Sequence, residues 1–159
     1  MPNLSRHRPN VGVVVFNSEG LVWLGKRIGM PDGQGWQFPQ GGVDEGEDLL
    51  AAAKRELFEE TGIRSVTLLG QTPDWIVYDF PAEILAQNSI GRDYLGQKQI
   101  WFAFRFDGHD SEVDLKAHGE QEFSTWRWDT LDTALSLIVP FKRAAYTRVV
   151  AEFRPFERA

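Results

Sequence analysis

The sequence predicts an α/β fold, a mixed β-sheet sandwiched between α-helices. Three observations lead there. β-Branched and aromatic runs lie on both sides of one central helical segment, Asp44–Gly62. The segment Gln99–Phe106 is apolar on both of its faces, as a strand covered on two sides must be. A second helical pattern, Pro140–Phe153, closes the chain and supplies the other cover.

Taken in order, residues 1–9 read as a flexible, polar N-terminal tail. Val11–Phe16 is a β-branched strand, Asn17-Ser18-Glu19-Gly20 is turn chemistry, and Leu21–Lys26 reads as its hairpin partner. Ile28–Gly35 holds three glycines and a proline and is a loop, and Trp36–Pro39 is a short extended piece. The central helix is predicted to start at Asp44 as N-cap, with Glu47 three residues later as in a capping box, and to stop at Gly62. Val66–Gly70 and Trp75–Phe80 are strands, and Ala82–Gln87 is a helical turn. In Gln99–Phe106, Ile100, Phe102, Phe104 and Phe106 share one face, with Trp101 and Ala103 on the other. Asp107–Glu122 is loop-like, Phe123–Asp129 is the last strand, and the C-terminal helix follows.

With 159 residues, the chain predicts a single domain, 1–159, able to bury a core without staples. It has no cysteine, which excludes disulfides, thiol catalysis and cysteine-based zinc sites. His7, His109 and His118 match no metal-ligand spacing and read as surface residues. No apolar run is long enough for a secretory or membrane segment, so a soluble, cytoplasmic protein without a membrane partner is expected. The net charge of −6 argues against coating DNA or RNA through phosphates. Recognition of a nucleotide end, with metal ions supplying positive charge, stays open.

The segment GGVDEGEDLLAAAKRELFEETGI carries the chemistry. At about 100° per helical residue, Glu60 lies about 40° from Glu56 and Glu59 about 60° to the other side. Like charges at this spacing repel, and they sit near a helix C-terminus, where the dipole disfavours them. A solvated acidic face is the default reading of such a triple. The alternative is that something positive occupies it. Mg²⁺ takes oxygen ligands from carboxylates, phosphates and water, so clustered glutamates suit metal-assisted hydrolysis of a phosphate-rich substrate.

Gly41, five residues, Glu47, seven residues, then Arg55-Glu56-Leu57-Phe58-Glu59-Glu60-Thr61-Gly62-Ile63 resembles the Nudix box without a departure. Seven fixed positions give chance odds on the order of 10⁻⁸ per starting point. The pieces RPNVGVVV, WQFPQGG, GQKQIWFAF, EFSTWRW and FKR resemble the bacterial branch of RNA 5′-pyrophosphohydrolases and (di)nucleoside polyphosphate hydrolases, from Arg8 to Phe153.

The resemblance implies the Nudix fold and hydrolysis of a 5′ polyphosphate on RNA. Pyrophosphate or phosphate leaves, and a 5′-monophosphate remains. Its alternatives are asymmetric hydrolysis of diadenosine polyphosphates and, remotely, a non-catalytic nucleotide sensor. It implies two or more Mg²⁺ ions, with Mn²⁺ as a substitute. Glu56, Glu59 and Glu60 match the metal-binding positions, the Gly41 carbonyl completes a metal shell, and Arg55 orients the glutamates. Glu122 matches a loop glutamate that closes on the metals and is a candidate base, preferred over Glu120 because it directly precedes a phenylalanine. Glu47 has a supporting role. At about 12 Å from Arg55 along a straight helix, it is not expected to pair with it.

On the substrate side, the resemblance places Arg27 at the polyphosphate, and Arg8, Val139, Phe141 and Lys142 at the nucleotide end. Gln97, Lys98 and Gln99 face the same cleft, with Gln99 equally readable as a polar strand entry. Phe141 stacks on a base or anchors its helix, and Tyr78 stacks a second adenine or packs the sheet. Trp101, Trp126 and Trp128 read as core, and Trp36 as either core or platform.

Overall fold

The β-branched run at the N-terminus fills the centre of the sheet. In the computed structural model, which describes residues 4–31, 34–87 and 94–158, β1 (His7–Phe16) pairs in parallel with β7 (Gly96–Phe106), from His7↔Gly96 to Phe16↔Arg105. The other strands are β2 (Val22–Arg27), β3 (Trp36–Gln37), β4 (Gln40–Gly42), β5 (Val66–Gln71), β6 (Ile76–Asp79) and β8 (Phe123–Asp129). Among the described residues these form one eight-stranded mixed sheet, ordered β3-β2-β1-β7-β5. Antiparallel β4 lies on β1, β6 on β7 and β8 on β2.

Period-two alternation sends the side chains of β1 and β7 into two cores. Val11, Val13, Val15, Phe102 and Phe104 pack against Ala52, Ala53 and Leu57 of α1 (Leu49–Thr61). Val14, Phe16, Trp101 and Ala103 pack against α3 (Leu131–Leu137) and α4 (Arg143–Phe153) through Leu131, Ala134, Tyr146, Val149 and Phe153. A short α2 (Ala82–Gln87) follows β6. The sheet is thus covered by helices on both faces, as expected.

Six local expectations change. β1 begins at His7, so residues 7–9 belong to the sheet rather than to a tail. His7 is buried rather than superficial, with Nε2 2.7 Å from Asp79 Oδ1 across the sheet. β2 joins β1 only at Phe16↔Val22 and pairs instead along β8, from Val22↔Asp129 to Arg27↔Phe123. α3 was not expected; Thr130 caps it, accepting the Thr133 N–H at 3.1 Å. The C-terminal helix opens with a 3₁₀ turn, Pro140–Lys142, before α4.

The sixth change matters most for the site. The N-cap of α1 is Asp48, whose side chain accepts the Ala51 N–H at 3.0 Å, and not Asp44. Gly46 has φ +75°, so the chain turns before the helix can start. Glu47 still reaches back to the Asp44 N–H at 3.0 Å, but it closes a turn, not a helix. Gly62 ends α1 at φ +77°, its N–H donating to Phe58 O at 2.8 Å.

Candidate active site

α1 presents Arg55, Glu56, Glu59 and Glu60 towards the part of the sheet where β4 pairs with β1. Arg55 organises them. Its Nε and Nη2 donate to the two oxygens of Glu47 at 2.8 and 2.9 Å. Nη1 donates to Glu56 Oε1 at 2.9 Å and Glu59 Oε2 at 3.2 Å, and Nη2 also donates to Gly42 O at 3.0 Å. The missing direct Glu47–Arg55 pairing is therefore overturned. Glu47 sits in the turn before the helix, which folds it back over the arginine.

The electrostatics follow from these contacts. Hydrogen bonding to Arg55, with help from the Asp44 N–H, holds the Glu47 carboxyl at about 2. Arg55 is pushed above its ordinary value, chiefly by Glu47. Burial pushes Glu56 up, against the pull of Arg55. Glu60 is only 5% exposed and is pushed well up by burial, then by the neighbouring charges of Glu56 and Glu122. One of its oxygens, Oε2, is buried without a hydrogen-bond partner. The helix face is thus half interior, not a solvated acidic surface.

Glu122 lies exposed just before β8, close enough for its charge to act on Glu60. Its carbonyl accepts the Ile28 N–H at 3.0 Å. His118 comes from the same loop, with Nε2 4.0 Å from Glu59 Oε1. Among the described residues no three imidazole or carboxylate groups form a ready-made metal cage. The donor set nevertheless fits a hard divalent cation completed by substrate oxygens and water. The buried Glu60 Oε2 has no hydrogen-bond partner, and the Gly41 backbone lies so close to Glu56 that a Cβ there would collide with its carboxylate. Glu56, Glu59, Glu60, Glu122 and the Gly41 carbonyl are the groups that could hold such ions.

Beside the carboxylates lies a cluster of basic and aromatic side chains. Lys142 is 9% exposed, with Nζ 6.0 Å from the Tyr78 ring centroid. Burial, then the charge of Arg27, lowers it to about 8, and Glu60 opposes the shift. Arg27 is exposed at a bulge between Lys26 and Arg27, where β2 slips its register against β8. Such a bulge re-aims a side chain. The Phe141 ring lies 5.9 Å from Tyr78, and Val139 packs against the same core. Tyr78 is buried, and its hydroxyl donates to Gln97 Oε1. Arg8 crosses Gly42, its Nη2 only 2.6 Å from where a Cβ would stand.

Gln99 is not part of this cluster. It is 2% exposed and bonded to Asn10, Gln40 and Trp101, as a polar residue entering a buried strand would be. Gln97, two residues nearer the strand end, is the glutamine that meets Tyr78. Trp36 is no open platform either, because the Arg127 guanidinium covers its ring at 4.4 Å. Trp101 is core, while Trp126 and Trp128 are half-buried. The sequence reading missed the hub role of Arg55 towards Glu47 and the contribution of Gln40. Gly46 was the signal for the former.

The NUDIX domain family matches residues 6–149. The chain is 58% identical to the RNA pyrophosphohydrolase of Caulobacter vibrioides (strain NA1000 / CB15N) over 153 residues, covering 96% of this chain and 89% of that protein. It is 51% identical to the RNA pyrophosphohydrolase of Rhizobium meliloti (strain 1021), covering 92% and 93% of the two. Solved structures share the fold. The E. coli dihydroneopterin triphosphate pyrophosphohydrolase superposes with a TM-score of 0.66 at 21% identity, covering 92% of this chain and 98% of that one. A C. elegans Ap4A hydrolase binary complex gives 0.62 at 20%, covering 92% and 99%. With the box residues gathered on α1 and β4 and the match spanning nearly the whole chain, this protein belongs to the NUDIX domain family.

Proposed function

We propose that this chain is a divalent-metal-dependent pyrophosphohydrolase that acts on the 5′ polyphosphate end of RNA and leaves a 5′-monophosphate. One observation carries the reading. Arg55 gathers the α1 carboxylates beside a cluster that combines Arg27 and Lys142 with Tyr78 and Phe141. Two different chemistries thereby meet, one suited to cations and phosphoanhydrides, the other to a base and its phosphates. The relatives named RNA pyrophosphohydrolase support the substrate class.

Glu56, Glu59, Glu60, Glu122 and the Gly41 carbonyl would hold Mg²⁺, or Mn²⁺ in its place, in two or more positions. When bound, such ions polarise phosphoryl oxygens and lower the pKa of a coordinated water. The protein's own work is positional. Arg55 fixes the carboxylates, Arg27 offers a fork to phosphate oxygens, and Lys142 adds a buried positive charge. Phe141 offers a face for a base and Arg8 closes the nucleotide end over β4. A glutamate of the cluster takes the proton of the attacking water. The leaving group is pyrophosphate or phosphate. No helix among the described residues is long and apolar enough to cross a membrane, in keeping with a cytoplasmic role in mRNA decay.

The test is a competition at equal concentrations of 5′-triphosphorylated RNA and diadenosine tetraphosphate with Mg²⁺. Faster conversion of the RNA to its 5′-monophosphate supports the reading. A strong preference for the dinucleotide overturns it, and nucleotide binding without turnover would favour a sensor.

A further inference from the structure

β4 is only three residues long, yet each of them touches the α1 machinery. The Gln40 backbone N–H approaches the Glu60 carboxyl and favours its charged form. The Gly41 backbone lies against the Glu56 carboxylate. The Gly42 carbonyl accepts from Arg55 at 3.0 Å. Such a short strand has little ladder of its own to define its position, and it pairs only with β1 among the described strands.

What holds β4 from the side away from α1 is a buried amide network. Gln99 Nε2 donates to Gln40 Oε1 at 3.1 Å and to Asn10 Oδ1 at 2.8 Å. Gln99 Oε1 accepts from Trp101 Nε1 at 3.0 Å. Asn10 faces Gln99 in the β1–β7 register and Gly42 in the β1–β4 register. Both polar atoms of the Gln99 amide are thereby engaged, among buried Asn10 and Trp101 and half-buried Gln40. Satisfied networks of this kind rigidify a structure, and partly satisfied ones loosen it.

We infer that Gln99 is a positioning residue: through Gln40 and Asn10 it locks β4 against α1 and so sets the metal-binding geometry of Gly41, Glu56 and Glu60. It acts on metal affinity and turnover and has no contact with the RNA. This inference rests on the proposed hydrolase reading.

The experiment uses the full chain and three readouts. Mn²⁺ alone is titrated and followed by electron paramagnetic resonance, kcat and KM are measured on 5′-triphosphorylated RNA with Mg²⁺, and thermal melting reports folding. Gln99→Leu strands the Asn10 and Gln40 oxygens and the Trp101 N–H. It is expected to weaken Mn²⁺ binding and lower kcat by about 10–100-fold, the scale for groups that orient metal ligands, with KM changed less than about threefold. Gln40→Leu removes a single acceptor and gives a weaker form of the same split, which keeps the test valid if Gln99→Leu does not fold. Wild-type Mn²⁺ affinity in either folded variant, or a change confined to KM, overturns the inference. Failure of both to fold overturns it too, because Gln99 is then core and nothing more. A wild-type chain that neither binds Mn²⁺ nor hydrolyses RNA ends overturns the underlying hydrolase reading instead.

Discussion

Arg55 holds Glu47 with two parallel hydrogen bonds, at 2.8 and 2.9 Å, while the same guanidinium reaches Glu56 and Glu59. A planar fork can serve these acceptors at once, and an ammonium cannot. Arg55→Lys is therefore expected to lower kcat on triphosphorylated RNA by about 10–100-fold, with little change in KM. Glu47→Gln, which keeps the shape but weakens the charge-assisted pair, gives a smaller loss in the same parameter. Steady-state kinetics at saturating Mg²⁺ check both, and an effect on KM alone contradicts the assigned role.

Glu56 and Glu60 are carboxyls whose charged forms are disfavoured by burial. Replacing either with glutamine removes a potential buried charge and retains its volume. Glu56→Gln and Glu60→Gln should each cost turnover by about three orders of magnitude, the scale of several kcal/mol of lost charge stabilisation. In chelator, their melting temperatures should equal or exceed that of the wild type. A melting temperature well below wild type would give these glutamates a structural role.

Lys142 titrates near neutrality, lowered to about 8 from an ordinary 10.5 by burial and by Arg27. Its charge is present below about 8 and lost above it, so the KM for RNA should rise as pH climbs through that value. Stability moves the other way. Between about 8 and 10.5 the unfolded chain binds the proton that the folded chain has released, so stability rises with pH. Lys142→Met should abolish both slopes. A KM profile that keeps its upper limb in this variant would remove Lys142 from substrate binding.

Phe141 contacts Tyr78 but is itself only half-buried, which leaves ring surface for a base. Phe141→Ala should raise KM about tenfold, within the range for one stacked base, and leave kcat near wild type. Tyr78→Phe keeps the ring and loses only the bond to Gln97, so its effect should be smaller. Equal effects from the two would point to packing within the cluster instead of stacking.

Local patterns in the chain foretell much of this. The β-branched run, the alternation in β7 and the glycine after α1 all appear where expected, because each is a local consequence of side-chain chemistry. What escaped depends on distant partners. His7 is buried only because β7 and Asp79 meet β1 there. Glu47 reaches Arg55 only because Gly46 turns the chain before the helix begins. Gln97 and Gln99 share a face, but one meets Tyr78 of β6 and the other Asn10 and Gln40 of β1 and β4, partners that no local pattern announces.

The most direct measurement follows the 5′ end of triphosphorylated RNA while Mg²⁺ is titrated into wild type and Glu56→Gln. The account predicts 5′-monophosphate RNA from wild type only, rising with Mg²⁺ and absent in chelator. Equal conversion by the variant, or conversion that persists without divalent metal, would contradict it.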